Sequence, residues 1–306
     1  MIDSLTDIYL PLVGWTLAGL LFLRYLPETV PRFMGRSLYW VGVPLQVLAF
    51  IQRADLTRSV GLVPFVVAFA FLIGLGLGWL WTHIRQMPKA ERGGFLLSSS
   101  LGNVGFVGLA IAPYLVDDAY LAWVVLFSLA HNVICSYGLG VAIASYYGEH
   151  SWPTHWSTHL KSMMATPSIW ACAIGIWLKL EHVELAAPLT SGIQTSVQIV
   201  IPMALLLIGV RLSQLKQWDG VGKAMPAVVI KLLLVPLCVG GAMTLLGITD
   251  MSRLAMVLQA GMPCAFAGAI LAEEYNVRQE TILLGIALSS VGILITIPLW
   301  LWLFHG

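Results

Sequence analysis

Two stretches decide how this chain is read: Ser98-Ser-Ser-Leu-Gly-Asn-Val-Gly-Phe-Val-Gly108 and Gln259-Ala-Gly-Met-Pro-Cys-Ala-Phe-Ala-Gly268. Each lies inside an otherwise apolar segment, and each mixes glycines with a residue that interrupts a helix, Asn103 in the first and Pro263 in the second. Gly102 and Gly261 stand 159 residues apart in a chain of 306, roughly half its length. In lipid, backbone groups released by a helix break must be paired by protein or by a wet cavity. Interrupted apolar segments at matching places in two halves are the sequence mark of a transporter's central site.

The rest of the chain fits that environment. Hydrophobic residues make up 58% and charged residues only 10%, against about 25% charged in an ordinary soluble domain. Runs such as 60–81 and 221–247 are long enough to span a bilayer. The expected fold is therefore an all-α integral membrane protein. A net charge of +1 gives no reason to expect a nucleic-acid partner. Cys135, Cys172, Cys238 and Cys264 all fall in apolar runs without a CxxC pair, so neither a metal site nor a disulfide framework is expected. The N-terminus is acidic and lacks the basic region of a cleaved signal peptide.

Ten spans are predicted, roughly 8–23, 38–52, 60–82, 94–116, 120–147, 164–180, 193–212, 222–247, 253–272 and 281–304. One set of loops carries Arg24, Arg32, Arg36, Arg85, Lys89, Arg92, Lys161, Arg211, Lys216, Lys223 and Arg278; the other carries only Arg53, Arg58, Lys179 and Arg253. The positive-inside rule places the first set in the cytoplasm. Both termini then lie on the non-cytoplasmic side of a multi-pass protein of the plasma (inner) membrane.

Landmarks recur between the halves. Pro44 matches Pro202, Pro64 matches Pro226, and Gly102 matches Gly261, in order and at nearly constant separation. The expectation is two inverted five-helix repeats, 1–147 and 164–306, joined by a cytoplasmic connector over 148–163, with broken helices 4 and 9 crossed at mid-membrane. His155 and His159 in the connector share a helical face, but Trp152, Pro153 and Trp156 read better as a segment lying at the membrane interface.

The candidate binding residues follow from the breaks. Half-helix N-termini offer N–H groups and partial positive charge to an anion. Gly102, Asn103 and Gly105 at one crossing, and Pro263 with Cys264 at the other, are the expected contacts, with amides near Gly105 and Pro263 holding the ligand's charge. Close helix packing by small residues is the competing reading of these glycines. Lys231 falls near the middle of its span, where a cation is costly and points to function. It serves either as a charge for the ligand, as a stand-in for a coupling ion, or as a donor to carbonyls exposed by a broken helix. Asn132 is expected to touch the cavity or the crossing. Histidine can change protonation near neutral pH, so His131 is a candidate for proton coupling, with a hydrogen-bonded packing role as the equal alternative. For Gln46, interhelical hydrogen bonding is the expected role. No Asp or Glu falls deep within a span, so the centre is expected to be positive and the substrate an anion. No HExxH or GxSxG motif marks an enzyme, and no cofactor or metal is expected.

Gly102-Asn-Val-Gly-Phe-Val-Gly-Leu109 resembles the Gly-Asn-Thr-Gly signature of the auxin efflux carrier family. Pro202-Met-Ala-Leu-Leu-Leu-Ile-Gly-Val-Arg-Leu212, the run from Lys231 to Pro236, that from Met262 to Ile270, and Ile297-Pro-Leu-Trp300 are similar to its seventh to tenth spans. The resemblance implies ten spans in two inverted repeats, a scaffold from spans 1, 2, 6 and 7, and a transport domain from the others. It also implies a site at the crossing, carried over to Asn103 and Pro263; Cys264 stands where plant members have Asn. The function it implies is secondary transport of a small organic anion, a mono- or dicarboxylate, by alternating access. The alternatives are a sodium-coupled solute symporter resembling bile-acid carriers, or a non-transporting membrane sensor. The expected partners are the anion and the lipid bilayer, and a homodimer is compatible with the architecture.

Overall fold

The computed structural model describes residues 2–27, 29–55, 61–148, 164, 166–183, 185–213 and 220–304. Apart from Gly148, the predicted connector and its histidines lie outside the described residues.

Those residues are helical almost throughout: α1 (Ile2–Phe22), α2 (Thr29–Arg53), α3 (Val63–Ile84), α4 (Lys89–Ser100), α5 (Val104–Leu115), α6 (Asp118–Tyr147), α7 (Pro167–Leu180), α8 (Ala187–Ser213), α9 (Val221–Leu245), α10 (Met251–Ala260), α11 (Phe266–Glu274) and α12 (Glu280–Phe304). Six of them, α2, α3, α6, α8, α9 and α12, are long and apolar enough to cross a bilayer. Many of their large apolar side chains face outward, among them Phe65, Leu245, Ile295 and Trp302. In water such a surface would drive association; for a membrane helix it is the face that meets lipid. The second helix begins earlier than hydropathy suggests, because its first turns, Thr29–Ser37, carry Arg32 and Arg36.

The chain divides into two compact units. The first comprises Met1–Val60, Gly105–Val125 and Met164–Gln214. Here α1 and α8 pack backbone against backbone. A Cβ on Gly19 would strike the Leu206 carbonyl, and one on Gly209 would strike the Thr16 carbonyl. Such contacts hold helices together where no hydrophobic drive exists. Polar side chains tie the remaining helices: Gln46 Nε2 donates to the Leu109 carbonyl at 3.0 Å, the interhelical role expected of it, and Gln52 Nε2 donates to that of Gly175 at 3.2 Å.

The second unit comprises Gly61–Val104, Leu126–Met163 and Leu215–Gly306. Its α3 and α4 meet closely, with Gly74 against the Ser99 carbonyl and Gly78 against the Ser99 hydroxyl. Every residue of α10 from Ser252 to Ala260 is buried. Both helix breaks at issue, 101–103 and 261–265, fall in this unit.

Helix geometry loosens at four places. Leu38–Gly42, Val104–Gly108, His131–Gly140 and Ile230–Leu234 form wide π turns. Such turns are rare and gather at functional sites. Here two of them carry His131 and Lys231, and a third opens α5 directly after the first break.

Candidate functional site at the paired helix breaks

The first break starts where α4 ends at Ser100 and Leu101 turns to extended backbone, φ −88° and ψ 129°. The second starts where α10 ends at Ala260, and the chain re-enters a helix through Ala265, also extended at φ −77° and ψ 138°. Between these points the two segments lie antiparallel, with Gly102 opposite Cys264. The Asn103 amide donates to the Pro263 carbonyl at 2.7 Å, and the Ala265 amide donates to that of Leu101 at 3.0 Å. Each broken helix thus pairs the backbone that the other has freed, which satisfies the demand made by a lipid environment. Pro263 suits its position because it lacks an amide hydrogen and is needed only as an acceptor.

Four side chains complete the pairing. His131 Nε2 accepts from the Gly102 amide at 3.1 Å. Ser289 Oγ, on α12, accepts from the Cys264 amide at 2.9 Å and donates to the Ile286 carbonyl at 3.2 Å. The Cys264 thiol donates to the Ser98 carbonyl at 3.1 Å, near the end of α4. Lys231 reaches across from α9, and its Nζ donates to the Ala260 carbonyl at 2.5 Å. That carbonyl belongs to the negative end of a half-helix, where a cation is favoured. The same ammonium lies 3.0 Å from where a Cβ on Gly102 would sit. Lys231 therefore touches both breaks at once.

Of the residues singled out from sequence, Gly102, Asn103, Pro263, Cys264, Lys231 and His131 meet here, and all are buried. Asn132 is half-buried one position further along α6 and stands outside this bonded set. Gly105 is the second residue of α5. The amides of Gly102, Asn103, Cys264 and Ala265 all have protein acceptors. Helices restart at Val104 and at Phe266, directly after the two breaks, and the first-turn amide of Gly268 donates to the Ala265 carbonyl at 3.1 Å. Two participants were not foreseen, Ser98 and Ser289. The run Ser98-Ser-Ser and the pair Ser289-Ser290 inside apolar segments were the available signals. Among the described residues no three of His, Cys, Asp and Glu come together as a metal site.

Known proteins resemble this chain over most of its length. The family described as "Membrane transport protein" matches residues 38–301. An uncharacterized transporter of Methanothermobacter thermautotrophicus is 22% identical over 300 residues, covering 97% of this chain and 95% of its own. An uncharacterized transporter of Methanocaldococcus jannaschii is 22% identical over 287 residues, covering 91% of both chains. With its broken helices paired in a buried centre and most of its length matched, the chain belongs to the membrane transport protein family, that of the auxin efflux carriers.

Proposed function

We propose that this transporter carries a small organic anion, a mono- or dicarboxylate, by alternating access, and that the anion binds at the paired breaks. The observation that supports this most directly is the charge of the site. Lys231 is buried against both breaks. Two half-helices start directly after the breaks, at Val104 and Phe266, and such starts favour an anion. Among the residues whose side chains are described, Asp and Glu fall near helix ends or in loops. In this reading Asn103 hydrogen-bonds the carboxylate, the helix starts at Val104 and Phe266 bear its charge, and Lys231 supplies electrostatic support. Because both breaks and Lys231 lie within one unit, a rigid movement of that unit would carry Asn103, Pro263 and Lys231 together.

The proposal extends to topology. The ten spans form two inverted five-helix repeats, 1–147 and 164–306, in the inner membrane, with both termini outside, and the protein is a carrier rather than an enzyme. Uptake of radiolabelled mono- and dicarboxylates into proteoliposomes, with and without a sodium gradient, tests the function. Saturable uptake of a carboxylate without sodium is expected, and Asn103→Ala abolishes it while the melting curve of the purified protein stays cooperative. Full uptake by that variant removes Asn103 from the site; an absolute need for sodium replaces this reading with a sodium symporter.

A further inference from the structure

The second unit carries a groove of about 620 Å³ whose lining includes none of the residues at the helix breaks. Leu75 of α3 and Leu139, Ala142 and Ile143 of α6 give it an apolar wall. At one end the lining changes to Ser145, Tyr146 and Tyr147, the last residues of α6. A groove that is apolar along its length and polar at its end has the layout of a lipid, an acyl chain below a headgroup.

Charge at the polar end selects the headgroup. The Lys89 ammonium lies 5.1 Å above the ring of Tyr146. Arg92 lies on the next turn of α4, beside Gly93, which packs closely on the Tyr147 side chain, and its Nε donates to the Met87 carbonyl at 2.7 Å. The nearby carboxylate of Glu91 does not cancel these cations. It is bound by Arg278 at 2.8 Å and by Lys223 at 3.4 Å. At the same end of α3, Arg85 stacks over Trp81 at 5.5 Å. Tryptophan and tyrosine collect at headgroup depth in membrane proteins, so this end of the groove sits where a phosphate would.

We infer that this groove is a binding site for an anionic phospholipid, with an acyl chain along Leu75, Leu139, Ala142 and Ile143 and the phosphate between Lys89, Arg92 and the tyrosine hydroxyls. Basic pockets between membrane helices take up acidic headgroups in this way, and each cation near the surface is worth about 1 kcal/mol, a fivefold change in affinity. The site is separate from the proposed anion-binding centre and does not depend on what the protein carries.

The test uses the full-length protein purified in mild detergent. Native mass spectrometry and thermal melting would be followed during titration with dioleoyl phosphatidylglycerol, with dioleoyl phosphatidylcholine and with inorganic phosphate. Phosphatidylglycerol should be retained and raise the melting temperature, while phosphatidylcholine and phosphate should not. Lys89→Gln should weaken phosphatidylglycerol about fivefold, and Ala142→Trp, which fills the groove, should remove it. Equal retention of the two lipids, or an unchanged preference in both variants, overturns the proposal. Stabilisation by phosphate alone also overturns it, since the ligand would then be a free anion.

Discussion

Lys231 donates a 2.5 Å hydrogen bond to the carbonyl of Ala260, the last residue of the half-helix that ends at the second break. A buried ammonium is costly in lipid unless it is bonded, and a buried helix-end carbonyl is costly unless it has a donor. Each group answers the other's need. Lys231→Met keeps the bulk and removes the donor, so the carbonyl is left unmet at a cost of about 1–3 kcal/mol. The expected result is a lower melting temperature and loss of carboxylate uptake. A variant that melts and transports like the parent would show that the bond carries neither load.

Gly102 bears on the same ammonium. A Cβ there would sit 3.0 Å from Lys231 Nζ and 3.1 Å from its Cε. The Lys side chain is flexible, but its end is fixed at Ala260, so Gly102→Ala must loosen that bond or shift the break. Overpacking of this kind costs about 1–3 kcal/mol. In a double-mutant cycle with Lys231→Ala, which empties the space, the penalty for Gly102→Ala should shrink, giving a coupling of about 0.5–3 kcal/mol. Additive effects on the melting temperature would mean that the two residues do not share this space.

How far the sequence reveals this centre depends on what each residue contributes. Gly102 and Pro263 announce the breaks because a glycine-asparagine pair or a proline interrupts an apolar run whatever surrounds it. Lys231 stands out because nothing in a lipid-spanning segment explains a cation. The partners of the freed amides were not legible. Ser289 meets Cys264 from 25 positions along the chain, and His131 meets Gly102 from 29; only the packing of helices decides those pairings. The start of α2 at Thr29 was hidden for the opposite reason, since Arg32 and Arg36 mask a helix from a reading by hydropathy.

The bond made by His131 is of the kind its packing role calls for. Its Nε2 accepts from the Gly102 amide, so that nitrogen carries no proton while the break is intact, and protonating it would set two donors against each other. His131→Leu leaves a buried amide without an acceptor and should destabilise the protein by about 1–3 kcal/mol. His131→Gln keeps an acceptor and should lose less. If the bond is the residue's main role, the pH profile of uptake in His131→Gln keeps the parent's shape. A profile that flattens in this variant would assign His131 to proton coupling.

Lys179 repeats the device of Lys231 in the other unit. Its Nζ donates to the carbonyls of Ile51 at 3.1 Å and Gln52 at 2.9 Å, and to that of Ala54, at the C-terminal end of α2. This cation is only partly buried, so a helix-end contribution of about 1–2 kcal/mol is the appropriate scale. Lys179→Met should lower the melting temperature by a few degrees yet leave uptake per folded molecule near the parent's. Loss of transport without loss of stability would give Lys179 a part in the carrier's cycle.

The same bond bears on orientation. The sparsely charged side of the predicted topology holds Arg53, Arg58, Lys179 and Arg253. Three of these are engaged in the fold: Lys179 caps α2, Arg53 lies 3.9 Å from Asp118, and Arg253 is buried, donating to Thr244 Oγ1 at 2.9 Å and to the Phe304 carbonyl at 3.3 Å. Cations of the other set are engaged as well, Arg278 and Lys223 with Glu91, so structural roles discount both sides and the orientation rests on the excess itself. With the C-terminus outside, an alkaline phosphatase fused after Gly306 should be active in intact cells and a fluorescent protein fused there should stay dark. The reverse pair of results would invert the topology and, with it, the leaflet that the Lys89 end of the lipid groove faces.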